Sequence, residues 1–389
     1  MPTTTLRAER PSRMPRRRWV ALGAGLVLLL AACEGDDAED PEDVEETDGL
    51  DSEAADLDRL EAATALDYAE PGEEGPEPWE QDVPRSEDVE IPSSMDDHQQ
   101  PARWLPPEHD DAENDDAEGD DGTPLLVVLH SWSVGYEQHQ SIPFVQLAEQ
   151  LGWASIAPDF RGANDDPEAG GSELAVQDVV DAIDWADDQA DIDPDRVYVT
   201  GYSGGGMITL LVAGQHPDRF AGAAAWVPVY DLVDWYEFNA EHHPEEDYTD
   251  EIEVLCGGDP TTDGDAQEEC EQRSPTTYTD AIADAQVPVY VGHGLDDDVV
   301  RPDMTPRAYN EAADPDAPVD DEVVEALYDN ELPDDVAGTI EGATFFDDQD
   351  PDVLMARESG PSRMIIFEGE HDMVYHPTMR WLAALDEAR

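Results

Sequence analysis

The sequence predicts an α/β protein: a mostly parallel, twisted sheet with helices on both faces and antiparallel strands at its N-terminal side. Three observations carry that expectation. From Leu125 onward, short apolar runs alternate with amphipathic helical stretches, and strands joined through helices lie parallel and are covered on both sides. A glycine-flanked serine, in Gly201-Tyr202-Ser203-Gly204-Gly205-Gly206, stands between a strand pattern and a helix pattern. Two later apolar runs lead into an aspartate cluster and into a histidine.

Length and charge bound what such a protein does. Its 389 residues allow one large domain with appendages. The formal net charge is −78, and all 19 basic residues are arginine. A chain so acidic is repelled by nucleic acid and by anionic membrane surfaces, so no nucleic-acid partner is expected. The acidity extends into the folded pattern. Between Ser172 and Asp191, Val176, Val179, Val180 and Ile183 form an apolar helical stripe, with Asp178, Asp181, Asp184 and Asp188 on the other faces. Like charges at that spacing repel in dilute buffer and are screened by salt, which makes adaptation to high salt the working expectation.

The N-terminus reads as an export signal. Six arginines between Arg7 and Arg18 precede the apolar run from Trp19 to Ala32, which is of signal-peptide length and short for a membrane span. Leu30-Ala31-Ala32-Cys33 resembles a lipobox, which implies cleavage after residue 32 and lipidation of Cys33, a membrane anchor on the outer face of the cell; Arg16-Arg17 loosely resembles a twin-arginine signal. Residues 33–81 are rich in Asp and Glu with few large apolar side chains, and are expected to form a disordered, self-repelling tether. Leu57, Leu60, Ala63 and Leu66 allow one short helix within it.

The domain is expected over 82–389. Val89 to Ile91 and Ala102 to Leu105 read as two antiparallel strands around a turn at Met95 to His98. Asp110 to Gly122 is an acidic loop without the regular ligand spacing of a calcium site. Strands are then expected at Leu125 to Leu129, Ala154 to Ala157, Val197 to Thr200, Ala221 to Trp226, Val287 to Val291 and Met364 to Phe367. Helices are expected near Pro143 to Gln150, Leu174 to Gln189, Gly205 to Gln215, Pro302 to Ala312 and Pro377 to Ala388. A small cap or insertion is expected at about 228–280; within it, Cys256 and Cys270 flank a Gly/Asp-rich loop that a disulfide would close in an oxidising compartment. Nearby His242 and His243 lack a characteristic zinc spacing, and no metal is expected.

The chemistry lies in the serine turn and its partners. A serine hydroxyl is a poor nucleophile until a base takes its proton, so it must stand on an exposed, sharp turn within reach of a histidine. Gly201 and Gly205 remove side chains that would collide there. The run Val287 to Val291 leads into Gly294-Leu295-Asp296-Asp297-Asp298, and Met364 to Phe367 leads into Gly369-Glu370-His371, giving the chain order Ser, Asp, His. His371 would take the Ser203 proton and return it to the leaving group, while an aspartate fixes the imidazole tautomer. Acyl transfer by this set needs no cofactor.

The order and the motifs resemble the α/β-hydrolase fold, and within it the catalytic domain of the prolyl-oligopeptidase-like family and dienelactone-hydrolase-like esterases. The resemblance covers 82–389 and rests on Leu129-His130-Ser131-Trp132, Ala157-Pro158-Asp159-Phe160-Arg161-Gly162, the Ser203 turn, Gly294-Leu295-Asp296-Asp297 and Gly369-Glu370-His371. It implies Ser203, Asp297 and His371 as the catalytic set, with Asp296 and Asp298 left open by a one-residue shift. It further implies an oxyanion hole from the backbone N–H groups of Gly204 and Trp132, although Ser131 stands where the family has glycine. Family peptidases commonly carry a β-propeller; some 45 foldable residues before the first catalytic strand leave no room for one in this chain. An esterase acting on acylated carbohydrate or other small esters is therefore expected, with a serine peptidase, or an inactive envelope binding protein, as the alternatives. Trp226, Tyr230 and Trp235 would line the substrate site as stacking platforms, or form the core of the cap.

Overall fold

The computed structural model describes Leu50 and residues 57–68, 73–107, 122–315 and 317–389. The expected signal peptide, Cys33, most of the 33–81 tether and the Asp110 to Gly122 loop short of Gly122 itself lie outside the described residues.

The described residues form one ten-stranded sheet. Its strands are β1 (Glu87–Pro92), β2 (Gln99–Leu105), β3 (Thr123–Leu129), β4 (Ala154–Pro158), β5 (Ile192–Tyr202), β6 (Gly222–Trp226), β7 (Val289–Gly294), β8 (Thr339–Ile340), β9 (Val353–Ser359) and β10 (Ser362–Phe367). In space they run β1-β2-β4-β3-β5-β6-β7-β10-β9-β8. Pairing is parallel from β4 through β10, and antiparallel for β1 with β2, β2 with β4, and β9 with β10.

The reason for two covered faces is visible in one strand. In β3, Leu125, Val127 and Leu129 join the core beneath helices Glu173–Gln189 and Gly204–Gln215, whereas Leu126 and Val128 join the core beneath Ile142–Gln150 and Tyr375–Glu387. Alternate side chains point to opposite faces, so a continuous apolar run serves both cores. Each fully buried Leu or Val contributes about 1.5–3 kcal/mol. Ser172 caps helix Glu173–Gln189 by accepting from Ala175 N at 3.0 Å.

Three features differ from expectation. Asp178 and Asp181 are buried: Asp178 takes Arg161 Nε at 2.6 Å and Ser93 Oγ at 2.7 Å, and Asp181 takes Ser94 N at 2.6 Å. They tie the β1–β2 turn to the helix rather than crowding a solvated face. The folded part also begins before Asp82. Leu57, Ala62, Ala65 and Trp79 are buried against the sheet's covering helices, with helices at Ala65–Tyr68 and Pro76–Asp82. A segment too poor in apolar residues to fold alone is ordered by docking on an existing surface. Strands β8 and β9 and helix Asp321–Tyr328 add to the expected elements; within β9, Met355 and Ala356 are buried while Arg357 and Glu358 are less so, which breaks a regular alternation.

Between β6 and β7 the chain builds four helices, Leu232–His242, Tyr248–Cys256, Gly264–Gln272 and Thr279–Ala285. The Cys256–Cys270 disulfide joins the second to the third.

Candidate active site

Ser203 sits at the turn where β5 meets helix Gly204–Gln215, with φ 57° and ψ −122°. A non-glycine residue holds such angles only when its surroundings over-determine them. They do so through backbone at close range. A Cβ on Gly201 would lie 2.7 Å from Gly205 O and 2.9 Å from Leu129 O, and one on Gly205 would lie 2.4 Å from Leu129 O. Ser203 N donates to Trp226 O at 2.9 Å, fixing the turn to β6.

The loop after β3 lies against this turn. A Cβ on Gly204 would meet Trp132 N and Cα, each at 2.8 Å. Ser131 N is already engaged, donating to Gln138 Oε1 at 2.7 Å. Trp132 O accepts from Asn164 N at 2.8 Å, and its indole N–H donates to Glu251 Oε2 at 2.6 Å. The neighbouring His130 is stacked on Phe160 with ring centroids 3.9 Å apart, and its Nε2 lies 2.8 Å from Asp159 O, so it braces the loop.

Asp297 follows β7 and is fully buried, whereas Asp296 and Asp298 are exposed. Its Oδ1 accepts from Val299 N at 2.8 Å and Val300 N at 2.9 Å; its Oδ2 lies 2.8 Å from His371 Nδ1. His371, in the loop after β10, keeps 19% of its side chain exposed and has its ring centroid 6.0 Å from that of Tyr202, the residue before Ser203. Burial pushes the Asp297 carboxyl up, but His371 and His293 outweigh it and hold it well below the usual range. Burial likewise disfavours the His371 cation, and the Asp297 charge and hydrogen bond more than compensate, raising His371 above its ordinary value.

Sequence reasoning passed over His293. This buried residue of β7 places Nε2 3.0 Å from Asp297 Oδ2 and 2.8 Å from Val300 O, with Nδ1 2.8 Å from Thr305 Oγ1. A second imidazole thus contacts the same carboxylate oxygen of Asp297 as His371 does. Its only signal was its place between two glycines, four residues before the acid.

The substrate-lining expectation is corrected. Trp226 and Tyr230 are fully buried and Trp235 is 1% exposed. Trp226 Nε1 donates to Thr378 Oγ1 and Trp235 Nε1 to Val299 O, while Tyr230 OH bonds Thr279 and Glu311. Rings with their polar ends engaged inside the protein are core, and offer no face for stacking. The Cys256–Cys270 pairing is present.

Residues 144–325 match the prolyl oligopeptidase family. Acetylxylan esterase A of Emericella nidulans is 30% identical over 130 residues, covering 30% of this chain and 42% of that protein. The acylamino-acid-releasing enzyme of Arabidopsis thaliana is 30% identical over 133 residues, covering 30% of this chain and 17% of that protein. The matched stretches thus span less than half the length of these relatives. A solved puromycin hydrolase structure superposes with a TM-score of 0.50 at 15% identity, over 77% of this chain and 38% of its own, which is a likeness of fold. The strand order and the strained serine turn are those of an α/β-hydrolase fold, and within it residues 144–325 are similar to the prolyl oligopeptidase family.

Proposed function

We propose that this hydrolase cleaves acyl esters through a Ser203–His371–Asp297 triad. The observation that carries the reading is the 2.8 Å contact between buried Asp297 Oδ2 and His371 Nδ1, which follow the C-terminal ends of parallel strands β7 and β10 as the strained Ser203 turn follows that of β5. With Nδ1 engaged, Nε2 is the nitrogen left to take the Ser203 proton. The Ser203 oxygen then bonds to the ester carbonyl carbon, and the oxyanion is met by the N–H groups of Gly204 and Trp132. Engagement of Ser131 N elsewhere supports Trp132 as the second donor. Collapse breaks the bond to the alkoxy oxygen, which leaves as an alcohol carrying the proton from His371. Water, deprotonated by His371, hydrolyses the acyl-enzyme and releases the acid.

An ester rather than a peptide bond is favoured by the acetylxylan esterase, of which the match covers 42%, against 17% of the acylamino-acid-releasing enzyme; small acylated carbohydrates are the proposed substrate class. The acylamino-acid-releasing relative favours the second reading, a peptidase. Export, with a lipid on Cys33, belongs to the same proposal and rests on the N-terminal sequence and on a disulfide that an oxidising compartment would keep.

Labelling with a fluorophosphonate, in low and high salt, tests the nucleophile. Label on the parent and none on Ser203→Ala is expected; folded protein without label in either salt overturns the reading. Acetyl ester and acyl-peptide substrates then separate esterase from peptidase, and a mass shift at Cys33 that disappears in Cys33→Ser tests the anchor.

A further inference from the structure

Trp132 joins two parts of the molecule. Its backbone N lies against Gly204, while its indole ends on the insertion between β6 and β7. There it meets the Trp235 ring edge-on at 4.8 Å, and Trp235 in turn meets Tyr248 at 4.9 Å. Those contacts are apolar and tolerate rotation. The one directional contact is the hydrogen bond from the indole N–H to Glu251, at 2.6 Å. Glu251 lies on helix Tyr248–Cys256, whose last residue is held by the Cys256–Cys270 disulfide. With Trp132 O accepting from Asn164 N, the residue is held at both its backbone and its ring, and its N–H direction is set.

We propose that Glu251 is a positioning residue for the oxyanion-binding loop, acting through the Trp132 indole, so that the insertion takes part in catalysis without touching the substrate. This rests on the hydrolase mechanism above. Burial pushes the Glu251 carboxyl above its ordinary value, and Asp165 and Asp247 add to the same effect against the indole bond. A carboxylate in a strongly acidic chain has freely solvated alternatives; this one is kept on a buried indole. Misplacing an oxyanion donor by a fraction of an ångström weakens transition-state stabilisation more than substrate binding.

The test uses the full chain with an acetyl ester substrate. Glu251→Ala is expected to lower kcat about tenfold with KM within about twofold, short of the roughly 10²-fold or greater loss from deleting an oxyanion donor. Glu251→Gln, whose carbonyl still accepts the indole hydrogen, is expected to restore kcat to within about threefold. Trp132→Phe, which has no N–H, is expected to lose activity comparably, and the double variant with Glu251→Ala to be no worse than Trp132→Phe alone. The indole resonance missing from Trp132→Phe in a 1H–15N spectrum is expected to move upfield in Glu251→Ala, whether or not turnover is measured. An unchanged kcat in Glu251→Ala, a Gln variant as poor as Ala, or losses that multiply in the double variant would each overturn the role of Glu251 alone. A parent inactive on every acyl substrate overturns the hydrolase mechanism and this role with it. Should Glu251→Ala misfold, the Gln variant and the Trp132→Phe cycle carry the same decision.

Discussion

The turn that carries Ser203 and the loop that carries His371 are held in opposite ways. Around Ser203, backbone meets backbone, and three glycines are needed because a single Cβ would fall within 3 Å of Leu129, His130 or Trp132 main-chain atoms. Around His371 the constraints are side chains and a distant segment. Asp297 holds the ring from 74 residues away, and Leu66 N donates to Asp372 Oδ1 across 306 residues at 3.1 Å. The same N-terminal strap donates from Ala65 N to Met373 O and accepts from Tyr375 N at Ala63 O, while Leu60 N donates to His376 Nε2. The Ser203 turn is therefore held by backbone sterics, and the His371 loop by side-chain and strap polar contacts that are easier to perturb singly.

Variants break or sharpen this contrast. The largest effect is expected of Asp297→Asn. Its Oδ1 would still accept from Val299 and Val300, so the fold should survive, but the imidazole would lose its tautomer and kcat should fall by about 10⁴, about 5.4 kcal/mol of barrier. The same pairing places the acid limb of kcat/KM in the parent above pH 6.5, since His371 must be neutral to act and is raised above that ordinary value. A parent limb well below 6.5 would contradict the pairing.

Gly205→Ala should act on the fold instead. Its Cβ would meet Leu129 O and His130 O, neither of which can yield as a flexible side chain would. A loss of about 4 kcal/mol or more is expected in urea unfolding, with little soluble protein. A stable Gly205→Ala would show that the turn has slack.

Asp372 tests the strap. Burial pushes its carboxyl up to about 6, above its ordinary 3.8. The folded protein therefore binds this proton more readily than the unfolded chain. Stability from this site is present below about pH 4 and is lost as pH rises to about 6, by up to about 3 kcal/mol. Asp372→Asn keeps an acceptor for Leu66 N without the charge and should flatten that fall, as measured by unfolding at pH 4 and pH 7. An unchanged pH dependence would sink the assignment. The smallest effect is expected at Ser203: Ser203→Gly should be about 1 kcal/mol more stable than Ser203→Ala, because glycine adopts φ 57° without strain. Equal midpoints would mean that the turn stores no strain.

How much of this was legible depended on whether a repeating pattern or a single contact carries the signal. The six catalytic-sheet strands and five helices expected from periodicity are all present within a few residues, because apolar repeats and glycine breaks are local signals. Gly201 and Gly205 announced the turn for the same reason. His293, Glu251 and the strap carried no such signal: a histidine in a strand, one glutamate among many acids and a sparse apolar segment look ordinary until the fold brings them to Asp297, Trp132 and Asp372. The aromatic residues Trp226, Tyr230 and Trp235 failed in the other direction, since composition cannot say whether a ring faces a cleft or a core.

By itself, then, the sequence determined the two-faced parallel sheet, the serine turn and the chain order of the serine, the acid and the histidine, since each is written in spacing and steric demand over a few residues. Only the tertiary structure decided which aspartate turns inward, which N–H in the Ser131–Trp132 pair is engaged elsewhere, and what braces the acid and the histidine. Those are choices made by the assembled fold, in which burial and hydrogen-bond geometry select among groups that the sequence presents as equals, whether the partners are neighbours in the chain, as His293 and Asp297 are, or far apart, as Leu66 and Asp372 are.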